Sequence, residues 1–173
     1  MYEKTFPNKR FKRTLEFLES HVNTSEKILD LGIENPFSNI MKDAGFDVEN
    51  TKGEDLDLNT KTIENSSADV VTAFEIFEHL LSPFTVLKSI KADKLVASVP
   101  LKLWFSSAYQ SKTDKWDRHY HEFEPWQFDW LLEKSGWKIM ATSQWTHPVG
   151  KIGIRPFLRR FTPRYYIVYA ERV

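Results

Sequence analysis

Apolar residues along the chain switch between two spacings. Phe11, Leu15, Leu18 and Val22 recur at helical intervals, so residues 10–22 are expected to form an amphipathic helix. Thr24 and Ser25 punctuate it, and residues 27–31 then read as a short apolar strand. Pro36 suits the first turn of a helix that runs to about Ala44, where Gly45 ends it. Residues 46–48 read as a second strand and 55–58 as a possible third. Residues 69–74 do not alternate: Val70, Val71, Ala73 and Phe74 predict a strand buried on both faces. Ser82 and Pro83 cap a helix to about Ile90, and 95–99 is another buried strand, stopped by Pro100.

Residues 101–120 form a long irregular segment on this pattern, a length usually tied to function or mobility. A helix is expected over 124–135, between Pro125 and Gly136, followed by two final strands at 137–145 and 165–171. This βαβ succession, closed by a hairpin-like pair, predicts an α/β fold with a mostly parallel sheet and an antiparallel edge.

Length and composition narrow the picture. A chain of 173 residues is expected to form one domain over 1–173 with a real core. The 24 basic and 24 acidic residues cancel, so no global charge draws the chain to nucleic acid or an anionic membrane. Cysteine is absent, which excludes disulfides, thiolate metal sites and a cysteine nucleophile. The charged start MYEKTFPNKRFKR is not a signal-peptide pattern, and no stretch approaches the ~20 apolar residues of a membrane span. A cytoplasmic location is the default expectation. All six tryptophans fall between Trp104 and Trp145, and a basic run, Lys151, Arg155, Arg159, Arg160 and Arg164, follows them.

The segment Ile28-Leu29-Asp30-Leu31-Gly32, a helix, and then the strand ending Phe74-Glu75 before Ile76-Phe77-Glu78-His79-Leu80 resemble the class I S-adenosylmethionine (SAM)-dependent methyltransferases. His121-Glu122-Phe123 ahead of a helix ending Ser135-Gly136-Trp137 is also typical of that family. The resemblance spans roughly residues 10–172. It implies a Rossmann-like, doubly wound sheet of seven strands, the last antiparallel, with SAM as cofactor and a small-molecule oxygen or nitrogen acceptor. It assigns the cofactor to Asp30, Gly32, Glu34, Asn50, Asp57, Leu58 and Phe74. Glu49 shares the end of the second strand with Asn50, and Asp55-Leu56 is the alternative to Asp57-Leu58 at the adenine.

The sequence departs from the family's D-x-G-x-G-x-G turn. Glu34 and Pro36 stand where two glycines are expected, and glycine there lets the backbone approach the ligand. A fold that has lost its cofactor, acting as a scaffold, is therefore the first alternative.

Methyl transfer needs the acceptor positioned and deprotonated. Of the five histidines, His79 and His121 are the favoured bases, with Glu75 beside them; His21, placed at the surface of the first helix, His119 and His147 are less favoured. Glu75-x-x-Glu78-His79 also resembles the E-x-x-E-H of metal-assisted RNA 2′-O-methyltransferases and a quinone O-methyltransferase group. With His121 or His119 it offers a further alternative, although the neutral chain makes nucleic acid an unfavoured partner. Trp126, Trp130 and Trp137 are expected in the core. Trp104, Tyr109 and Trp116 are candidates for a lid or an acceptor-stacking surface. The basic run is read foremost as a solvated loop, with an anionic acceptor as the alternative.

Overall fold

The computed structural model describes residues 8–114, 117–148 and 152–173. Trp116 and Lys151, named above, lie outside the described residues. Six strands form one sheet: β1 (Lys27–Asp30), β2 (Asp47–Asn50), β3 (Val70–Phe74), β4 (Lys94–Pro100), β5 (Trp137–Thr146) and β6 (Pro163–Arg172), in the order β2-β1-β3-β4-β6-β5. The first four pair in parallel, and β6 runs antiparallel to both β4 and β5. The mostly parallel sheet and the antiparallel last strand match the expectation.

The six strands among the described residues correct the expected seven. Residues 55–58, read as a possible third strand, form a turn instead. Asp55 Oδ1 accepts the N–H of Asp57 at 3.0 Å, and the Asp55 carbonyl accepts from Leu58 and Asn59. A short carboxylate side chain that bonds its own backbone two residues on competes with strand pairing.

Helices flank both faces. α1 (Asn8–Glu19) and α2 (Pro36–Asp43) cover one, where Phe11, Leu18, Phe37 and Met41 pack on Ile28, Val70, Val96 and Ile167. The other face carries α3 (Lys61–Glu64), α4 (Pro83–Ser89) and α5 (Pro125–Lys134). There Ile63, Leu87, Phe128 and Leu132 pack on Leu29, Val71, Ala97 and Val168. Alternate residues of one strand therefore enter opposite cores, the reason the central strands read as unbroken apolar runs. α6 (Ile154–Leu158) lies in the β5–β6 connection. Neither α3 nor α6 has a counterpart in the sequence pattern.

Two further corrections concern side chains. Trp137 is buried as expected, but Trp126 and Trp130 are exposed on α5. They stand one helical turn apart on the face opposite Phe128 and Leu132, so the helix offers the core its smaller stripe. His21 lies beyond the end of α1 and is half-buried between Phe17 and Tyr169, its Nδ1 2.8 Å from the Phe17 carbonyl.

Candidate functional site

The carboxyl ends of β1 to β4 open onto one edge, where ligands of parallel α/β sheets sit. Two clusters occupy it.

The first surrounds the turn after β1. Asp30 is buried, pairs in register with Asn50 of β2, and accepts hydrogen bonds from Thr72 Oγ1 (2.7 Å), Asn50 Nδ2 (3.0 Å) and Ser38 Oγ (3.2 Å). Burial raises its pKa to about 6, an effect these bonds only partly offset. Asp30 thus ties three elements together beneath the turn. Gly32 makes the turn at φ +114°, a conformation that side chains rarely adopt. Its N–H donates to Thr51 Oγ1 at 2.7 Å, and its carbonyl accepts from Asn50 Nδ2 at 3.2 Å. The Asn50 amide nitrogen is thereby committed to the turn, whereas its Oδ1 is buried with no hydrogen-bond partner. That oxygen can accept from a ligand hydroxyl, which fits the ribose of the expected cofactor.

Glu34 does not fold back over the turn. Its carboxylate lies 3.3 Å from Lys42 Nζ on α2, and its side chain is 59% exposed. Pro36 is the first residue of α2, behind an Asn35 cap whose Oδ1 accepts from Phe37 and Ser38. Asp57 accepts the N–H groups of Leu81 and Ser82, both at 2.8 Å, so its carboxylate holds the loop ahead of α4. Leu58 is 85% exposed. Phe74 is half-buried, edge-on to Phe37.

The second cluster follows β3. Glu75 is the one non-glycine with positive φ among the described residues, at +59°, a left-handed conformation that costs energy away from glycine. Its carboxylate meets Arg10 Nη1 of α1 at 3.3 Å and accepts from Ser98 Oγ at 3.0 Å. Burial raises its pKa against the pull of Arg10. A 3-10 turn, Phe77–His79, comes next. Glu78 is buried, with Oε1 3.7 Å from His79 Nε2 and Oε2 without a hydrogen-bond partner. Burial, and then the charge of Glu75, push its pKa well up.

The long 101–120 segment folds back here. Tyr120 and His121 donate their N–H groups to the Glu78 carbonyl, at 2.8 and 3.2 Å. His119 thereby meets His79 edge to face, ring centres 4.9 Å apart. Ligand atoms of Glu78, His79 and His119 lie within 4.8 Å of one another. His79 Nδ1 is 2.9 Å from the Arg118 carbonyl and His119 Nδ1 is 3.3 Å from Glu122 Oε1. Burial, followed by the neighbouring His79, lowers the pKa of His119. His121 stacks on Phe123, and its Nε2 is buried without a partner. Of the aromatic lid candidates, Trp104 is exposed, while Tyr109 sits against the His119 ring.

The imidazole that meets His79 is therefore that of His119, while His121 is tied to the same turn through its backbone and turns its ring to Phe123. Arg10, Ser98 and Thr72 carry no signal in the sequence, since each reaches the site from a distant element. Ser38 has one, as the third residue of a helix behind an Asn cap. A depression lined by Glu49, Lys61, Thr62 and Asn65 lies beside β2 and α3 and shares no residue with either cluster.

Structures of several methyltransferases have this fold. Burkholderia thailandensis 1,6-didemethyltoxoflavin-N1-methyltransferase, solved with S-adenosylhomocysteine, aligns at TM-score 0.65 over 94% of this chain and 78% of its own, with 12% identity. A Haloferax volcanii methyltransferase in complex with a methyltransferase activator aligns at 0.66, over 95% and 91%, with 12% identity. Synechocystis magnesium protoporphyrin IX methyltransferase with bound S-adenosylhomocysteine aligns at 0.59, over 95% and 83%, with 13% identity. No protein-family model and no curated sequence matches the chain. The chain has the class I SAM-dependent methyltransferase fold.

Proposed function

We propose that this protein binds SAM and transfers its methyl group to an oxygen or nitrogen of a small molecule. The observation that carries the reading is the turn after β1: Gly32 at positive φ beside the unpartnered Oδ1 of Asn50, at the carboxyl edge of a sheet with the methyltransferase fold. Bound SAM would supply both the methyl group and its leaving group. Gly32 would present backbone to the cofactor, and Asn50 Oδ1 would accept a ribose hydroxyl. Exposed Leu58 would give the adenine an apolar face, with Asp57 steadying the loop below. Asp30 would act from beneath, by holding the turn, and Glu34 would lie to its side. Phe74 and Glu75 would border the methyl group. His121, with a buried free Nε2, would take the acceptor's proton, and His79 is the second candidate.

Calorimetric titration with SAM and then S-adenosylhomocysteine tests this reading. Micromolar binding supports it. No binding at millimolar ligand sinks it in favour of a non-catalytic scaffold.

The Glu78–His79–His119 cluster favours a second, metal-assisted reading. Each imidazole has its Nδ1 near an oxygen, an arrangement that leaves Nε2 for a metal, and Glu78 offers a free oxygen. Two imidazoles and a carboxylate suit a first-row divalent ion, which would acidify an acceptor hydroxyl nearby.

A further inference from the structure

The connection between β5 and β6 carries chemistry that the methyl-transfer reading does not use. Ile152, Ile154, Phe157 and Phe161 are 106, 81, 58 and 70% exposed. They fall within ten residues, and the rings of Phe157 and Phe161 stand together, centres 5.2 Å apart. Arg155, Arg159 and Arg160 are interleaved with them, and no acidic residue occurs between His147 and Ala170. Five of the 24 cationic residues lie in 151–164, so the remaining 19 share the rest of the chain with all 24 acidic ones. The neutral total conceals an uneven distribution of charge along the chain.

An ordinary solvated loop would not set four large apolar side chains in water among its cations. The combination is that of an interfacial element, with apolar groups to enter the headgroup boundary and arginines to meet anionic phosphates. Among the described residues no helix is long and apolar enough to cross a membrane. The patch also adjoins the candidate site. It runs directly into β6, whose Tyr165 pairs with Pro100 at the carboxyl end of β4 and whose Arg164 Nη1 donates to the Leu101 carbonyl at 2.6 Å.

We propose that residues 152–161 form a docking surface for an anionic lipid bilayer, which brings the carboxyl edge of the sheet to the membrane face. Aliphatic isoleucines beside the phenylalanines favour lipid over nucleic acid, which would use stacking aromatics and cations alone.

Flotation with vesicles of phosphatidylcholine, with and without phosphatidylglycerol, tests the proposal on the full chain. Binding is expected to the anionic vesicles and to weaken with salt. Arg160→Gln should lower it about fivefold, and Phe157→Ser with Phe161→Ser about tenfold or more. All these positions are exposed, and unchanged circular dichroism and thermal melting would confirm folding. SAM affinity measured on the same variants separates this proposal from the cofactor reading. No vesicle binding, equal binding to neutral vesicles, or full binding by the double phenylalanine variant would overturn it. So would bulk RNA that displaces the vesicles and binds that variant as tightly as the parent chain, which would mark a nucleic-acid surface.

Discussion

Arg10 of α1 and Glu75 at the end of β3 form an ion pair, Nη1 to Oε2 3.3 Å, in which each side chain is only 16% exposed. The pair seats the first helix on the strained residue that borders the candidate methyl site. Arg10 also lies over the Tyr165 ring, 5.5 Å from its centre. Arg10→Ala is expected to cost about 2–3 kcal/mol in urea unfolding. That is less than the ~3–5 of a broken, fully buried pair, because Glu75 can take up a proton. In a double-mutant cycle with Glu75→Gln the two losses should not add; full additivity would show that the pair contributes nothing.

Asp30 predicts a stability that falls as pH rises. Its folded-state pKa of about 6 lies above the ordinary value of 3.8, so the folded chain binds this proton more tightly than the unfolded one. The contribution is complete below about pH 4 and is lost as pH passes through about 6, to a total of about 3 kcal/mol. Glu75 and Glu78, whose pKa values are also raised, slope the same way. The diagnostic is therefore the difference between the parent and Asp30→Asn. Parallel curves of unfolding free energy between pH 4 and 7 would contradict the assignment.

His121→Ala should reduce kcat by roughly 10²- to 10⁴-fold, the usual contribution of a general base, with SAM affinity unchanged. The same substitution at His79 tests the second candidate. If neither changes turnover of an identified acceptor, neither imidazole is the base.

Zinc or cobalt(II) should raise the melting temperature if Glu78, His79 and His119 hold a cation. Saturation at a hundredfold over Kd corresponds to about 2.7 kcal/mol. Glu78→Gln and His119→Ala should abolish the shift, and cobalt absorption bands should vanish with it. An undiminished shift in His119→Ala would place the metal elsewhere.

Glu34→Gly should leave SAM affinity within about fivefold, because an exposed ion pair such as Glu34–Lys42 contributes at most ~1 kcal/mol. A large gain in affinity would instead show that the carboxylate obstructs the cofactor.

Local spacing was enough to place most elements of this fold. The apolar runs at 28–30, 70–74 and 95–99 are strands because nearest-neighbour patterning reports burial on two faces directly. Gly32 and Gly45 mark turns at positive φ for a reason internal to the residue. Where sequence reasoning failed, a short-range preference met a competitor. Asp55 bonded its own backbone and removed the third strand, and α5 turned Phe128 and Leu132 to the core rather than Trp126 and Trp130.

The site itself is a product of tertiary structure. Asp30, Gly32 and the Glu75–His79 motif were legible as candidates. Their partners were not: Arg10 arrives from α1, Ser98 from β4, and His119 from a segment that folds back onto the Glu78 carbonyl. Spacing along the chain encodes which face a residue takes within its own helix or strand. Which distant side chain it meets depends on strand order and on the path of the loops, and only the folded chain decides that.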